Sequence, residues 1–131
     1  MARLISAKGL TNSQNIGSPQ PGMKWIVKWA LVVLHTSSNT GSRDATIGII
    51  RGGNPQNDGT VLATTTAQTS TNAEYAGLGD VSNQNLYSPP TSTTQFYQFP
   101  EIFAADILVL VAQLQAGDTV DYYIMVEEEA S

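Results

Sequence analysis

The chain is predicted to be all-β, a single antiparallel β-sandwich or jelly roll of about seven or eight strands. Three observations carry that prediction. Near the C-terminus Val120, Tyr122, Ile124 and Val126 alternate with Thr119, Asp121, Tyr123 and Met125, the two-residue period of a strand with unlike faces. Runs rich in β-branched and aromatic residues recur at fairly regular spacing, separated by Gly, Pro, Asn, Asp and Ser. No stretch shows a convincing amphipathic helix, a turn near Glu101 to Ala105 aside.

Residues 3–10 suit either a first strand or an extended arm lying on a neighbouring subunit. The loop that follows collects Gly17, Pro19, Pro21 and Gly22. The chain therefore divides into an arm or first strand with its linker, 1–22, and a sandwich domain, 23–131. Lys24 to Thr36 predicts a long strand, with Trp25, Val27, Trp29, Leu31 and Val33 on one parity and Ile26, Lys28, Ala30, Val32 and Leu34 on the other. Ser37 to Asp44 is a turn, Ala45 to Ile50 a strand, and Gly52-Gly53-Asn54-Pro55 the next break. Asn57-Asp58-Gly59 opens a threonine-rich strand from Thr60 to Thr69. Ser70 to Pro90 is the least regular segment, of the length that usually marks a functional or mobile loop. Thr93 to Phe99 alternates as a further strand ended by Pro100. Ile107 to Ala112 is apolar at consecutive positions, as for a strand covered on both sides. Joined through Gln115-Ala116-Gly117-Asp118 to the run at Val120, it predicts a β-hairpin at the heart of one sheet.

Composition narrows the function. Only 13% of residues are charged, against about 25% in typical soluble domains, so the surface must be largely Ser, Thr, Asn and Gln. A net charge of −5 with scattered basic residues gives no footprint for a phosphate backbone, and nucleic acid is not an expected partner. The absence of cysteine removes disulfides and thiolate chemistry. The longest apolar stretch, Trp25 to Leu34, is interrupted by Lys28 and falls well short of the ~20 residues that span a bilayer. The first residues lack a signal-peptide core, so synthesis in a cytoplasm is expected.

Catalytic signatures are missing at this level. The single histidine, His35, ends the Trp25 strand, and no orienting carboxylate is identifiable for it. Glu74, Asp80, Glu101 and Asp106 offer glycosidase-type carboxylates no more specifically than any acidic protein does. The segment from Asn54 to Gly59 fails the calcium-loop pattern, and Gly52-Gly53 and Gly77-Leu78-Gly79 read as turns or bulges. Glu127-Glu128-Glu129 reads as a strand end that blunts edge pairing. Trp25 and Trp29, on one parity, are expected to fill core; a sugar-binding face is the alternative, to which the Asn- and Gln-rich loops also lend themselves. No enzyme activity, cofactor or metal is expected.

Three stretches taken together resemble small virion structural proteins of tailed bacteriophages, the head decoration or cement proteins of β-sandwich or jelly-roll type. They are Gly22-Met23-Lys24-Trp25-Ile26-Val27, the Thr40-Gly41-Ser42-Arg43 turn, and Ala116-Gly117-Asp118-Thr119-Val120-Asp121-Tyr122-Tyr123 leading to Val126-Glu127-Glu128. The resemblance implies a non-enzymatic protein on the capsid surface of a virion, commonly a trimer, that binds the major capsid protein and staples neighbouring coat subunits. Its contacts are expected at exposed loop and arm positions, namely Arg3, Lys8, Asn12, Arg43, Arg51 and Tyr75. A carbohydrate- or receptor-binding module of a head fibre or tail is the alternative.

Overall fold

The computed structural model describes residues 1–53, 60–67, 72–80 and 91–131. The expected turn at Asn57-Asp58-Gly59 and most of the irregular stretch from Ser70 to Pro90 lie outside the described residues. Ten strands are present among the described residues: β1 (Ala2–Leu10), β2 (Gln14–Gly17), β3 (Met23–His35), β4 (Arg43–Ile50), β5 (Thr60–Ala67), β6 (Glu74–Asp80), β7 (Thr91–Gln95), β8 (Glu101–Phe103), β9 (Ile107–Gln113) and β10 (Thr119–Ala130). The surplus over the expected number comes from the short β2 and β8, which carry no alternation long enough to recognise, and from β6, which forms within the stretch expected to be irregular and pairs along β3. Residues 1–22 are not a free arm: β1 pairs along β10 and β2 along β9.

The strands form two facing sheets. The first is ordered β1-β10-β3-β6-β7, with β8 sharing the β3 edge, and the second β2-β9-β4-β5. With the additions β7 and β8 set aside, eight strands remain. In chain order these lie first-eighth-third-sixth in one sheet and second-seventh-fourth-fifth in the other, which is the double Greek key of a jelly roll. The hairpin expected between β9 and β10 does not form, because the two strands belong to opposite sheets. β9 pairs instead with β4 and β2, while β10 lies between β1 and β3. A Gly-Asp turn between two apolar runs looks the same in sequence whether the second strand lies beside the first or across the core from it.

Each strand turns one parity into the space between the sheets. Val120, Tyr122, Ile124 and Val126 are buried, as the alternation predicts, and meet Ile47, Ile49, Leu108 and Leu110 from the second sheet in one core cluster. On β3 the parity changes midway. Val27 pairs with Val126 but Trp29 with Met125, which leaves Lys28 as an extra, bulged residue. Before the bulge Trp25 and Val27 face inward; after it Ala30, Val32 and Leu34 do. Trp25 therefore fills core as expected, its indole Nε1 donating to Glu128 at 2.8 Å, whereas Trp29 is turned to the outer face. β9 is covered on both sides only in its middle, at Leu108 to Leu110, and Val111 is exposed.

At β6 the two sheets come into backbone contact. A Cβ on Gly77 would lie 2.0 Å from the Thr64 carbonyl oxygen, and one on Gly79 only 1.7 Å from that of Leu62. These glycines are neither turns nor bulges; they lie within a strand, at backbone-to-backbone contact with β5.

Two corners of matching design hold the sheets together at opposite ends of β4. At each, an aspartate precedes a strand, its backbone N–H donates to the carbonyl three residues back, and its carboxylate accepts that residue's N–H. The pairs are Asp118 with Gln115 before β10, and Asp106 with Phe103 before β9. Each carboxylate also receives an arginine from one end of β4. Arg43 Nε lies 2.7 Å from Asp118, with both side chains fully buried, and Arg51 Nη1 lies 3.0 Å from Asp106. Arg43 further donates to the carbonyls of Ser37, Asn39 and Gly41, and Asp118 accepts the Ser37 N–H.

Candidate functional site

The outer face of the first sheet follows from the register, since directly paired residues of antiparallel strands share a face. One cross-strand row runs Leu4, Met125, Trp29, Asp80, and the next Ser6, Tyr123, Leu31, Leu78. Asp121, Val33 and Ala76 form a third row, and Thr119, His35 and Glu74 the last. The sheet thus carries an apolar inner face, consumed by the core, and a largely apolar outer one. Leu4 is exposed; Trp29, Leu31, Tyr123 and Met125 are partly so. Polar groups border this patch, with Lys8 Nζ 5.9 Å from the Tyr123 ring centre.

At that border stands His35. Its Nε2 lies 2.9 Å from Asp121 and its Nδ1 3.6 Å from Glu74. Asp121 also accepts the Gly9 N–H. The orienting carboxylates that the sequence did not reveal are therefore present, supplied by the neighbouring strands β10 and β6. Among the described residues, no group of three or more acidic, histidine or cysteine side chains could hold a metal ion.

A concavity of about 520 Å³ opens at the end of the sandwich where β4 stops. Its lining includes Arg51, Val61, Gln95, Tyr97, Phe99 and Phe103. Tyr97 is 93% exposed, and Val61, Phe99 and Phe103 are about 40% exposed. Phe96, expected on a continuing strand, is buried beyond the end of β7. The charged groups near the cleft are already engaged: Arg51 with Asp106, and Lys24 Nζ with Glu101 at 2.9 Å. Lys28 Nζ stands 4.0 Å from the Phe99 ring centre, a close cation–π contact.

Burial acts against the charged form of both corner aspartates, yet their hydrogen bonds prevail. Asp118, held by Arg43 and the Ser37 and Gln115 amides, lies at about 2. Asp106 is also lowered, through the Phe103 and Gly52 amides and then Arg51.

The contact residues expected from sequence do not converge on one site. Arg3, Lys8 and Asn12 are exposed on and just after β1, where Arg3 covers the Trp25 ring and reaches Glu128. Arg51 lines the cleft. Arg43 and Tyr75, expected to be exposed, are buried: the first is committed to Asp118 rather than Asp44, and the second joins the core. Sequence reasoning missed Tyr97, Phe99 and Phe103 as a group because they come together only once β8 docks on β3.

No protein-family model matches this chain, and no curated protein matches it. Among solved structures, a chain in "Structure of infectious bursal disease virus Gx strain" aligns at 11% identity with a TM-score of 0.26, covering 98% of this chain and 40% of that one. A likeness at that level carries no argument about function.

Proposed function

We propose that the protein is a non-enzymatic virion component that binds the outer surface of an assembled capsid and bridges neighbouring coat subunits, acting as a homotrimer. The observation that carries the reading is the second apolar face of the first sheet. A sandwich sheet needs one apolar face for its core; Leu4, Trp29, Leu31, Tyr123 and Met125 supply another, bordered by Lys8, His35, Asp121 and Glu74. An apolar centre within a polar rim is the anatomy of a protein interface. The stretches resembling phage decoration proteins make coat subunits the partner, and binding to the assembled shell would stabilise it by mass action.

Light scattering of the purified protein is expected to give a trimer, and incubation with undecorated shells to add copies in multiples of three. Trp29→Asp with Leu31→Asp is expected to abolish shell binding while the circular dichroism of the sheets is kept. Failure of the wild-type protein to bind any shell rejects the reading.

A further inference from the structure

We infer that the cleft at the β4 end of the sandwich is a binding site for a neutral oligosaccharide. Its exposed rings are the first reason. A tyrosine 93% exposed beside Phe99 and Phe103, at about 40% each, leaves aromatic surface facing water where core packing does not need it. Such rings stack on the C–H faces of pyranose sugars.

The second reason is the polar complement. Gln95, Gln98, Thr60 and Thr94 line the same space, and each amide or hydroxyl group both donates and accepts, as sugar hydroxyls require. A proline-rich peptide, the other ligand that aromatic grooves take, presents carbonyl acceptors and would use only half of that capacity.

The third reason is charge. Both charged residues that line the cleft are paired, Arg51 with Asp106 and Glu101 with Lys24, and Lys28 beside it is turned onto the Phe99 ring, so no charged side chain of the lining is left without a counterion. The volume of about 520 Å³ falls within the range of about 300–1,000 Å³ usual for small-molecule sites. Phe99, with Lys28 over one face, is a preset wall, whereas Tyr97 and Phe103 are the platforms. This inference does not rest on the capsid-binding reading, although Gln95 continues the Trp29–Asp80 row of that face to the edge of the cleft.

The test is a screen of the full chain on an array of neutral oligosaccharides built from hexose and N-acetylhexosamine units, followed by NMR titration of the strongest hit. Saturation transfer from aromatic ring protons is expected, with amide shifts at Gln95 and Gln98. Tyr97→Ala and Phe103→Ala are each expected to weaken binding at least tenfold with the melting temperature nearly unchanged, and Trp29→Ala to leave it intact. The inference is overturned if no neutral sugar binds, if binding survives Tyr97→Ala, or if a proline-rich peptide shifts these resonances and the sugars do not.

Discussion

Replacing Asp118 with asparagine is the sharpest probe of how this fold is held. The substitution keeps the size of the side chain but removes the carboxylate charge that faces a guanidinium sealed from solvent, with both partners fully buried. Breaking a buried pair from one side costs about 3–5 kcal/mol, because the surviving charge is left without its counterion. With an unfolding entropy of about 2.1 cal/mol/K per residue, that loss lowers the melting temperature by roughly 11–18 °C in a domain of 131 residues. The pair also has a pH signature. Asp118 sits at about 2 when folded and 3.8 in its ordinary state. The unfolded chain therefore binds the proton more readily, and the stabilisation is complete above pH ~4 and lost as pH falls toward ~2, amounting to about 2 kcal/mol. Denaturant titrations of wild type, Asp118→Asn, Arg43→Met and the double variant Arg43→Met/Asp118→Leu, run from pH 2 to 7, measure both effects. The double variant is expected to be more stable than Asp118→Asn, since it leaves no orphaned charge. A single-variant loss below about 1 kcal/mol, or an acid slope unchanged in Asp118→Asn, would refute the role given to this corner.

Gly79→Ala is expected to cost at least about 3 kcal/mol, the upper part of the range for overpacking, because the intruded group is the Leu62 backbone and cannot turn aside; thermal melts check it. Trp25→Ala is expected to lose about 3–5 kcal/mol by emptying core, while Trp29→Ala loses less than about 1 kcal/mol, a contrast readable by urea titration. His35→Ala is expected to change stability by no more than about 1 kcal/mol, as its contacts with Asp121 and Glu74 are partly exposed, and to leave shell binding weakened only at the rim; a hydrolase screen in which activity vanished in this variant would instead make the His35–Asp121 pair catalytic.

The alternation at Val120 to Val126 made β10 legible, because a strand between a core and an outer face writes its burial into every second residue. The same rule failed on β3, where one bulged residue at Lys28 exchanged the faces and separated Trp25 from Trp29. Nothing local marks such a bulge, since it is defined by the partner strand. Gly77 and Gly79 were misread for a related reason: their lack of a side chain serves a backbone that arrives from β5. Arg43 stood next to Asp44 in the sequence, yet its counterion is seventy-five residues away. The candidate cleft was hardest to foresee, as its rings lie on and just before a short strand whose position depends on the free edge of β3.

The place of β10 has a consequence for how the molecule is made. It is the last strand in chain order, and it lies between β1 and β3, the first and third. As the chain emerges, β1 has no neighbour in its sheet, and the flank of β3 that β10 will occupy stays open until β10 itself has been synthesised. Pairings of such long sequence separation form slowly. During that interval the open flanks are templates for strands of other chains, so nascent copies at high local concentration face a choice between closing on their own β10 and joining one another.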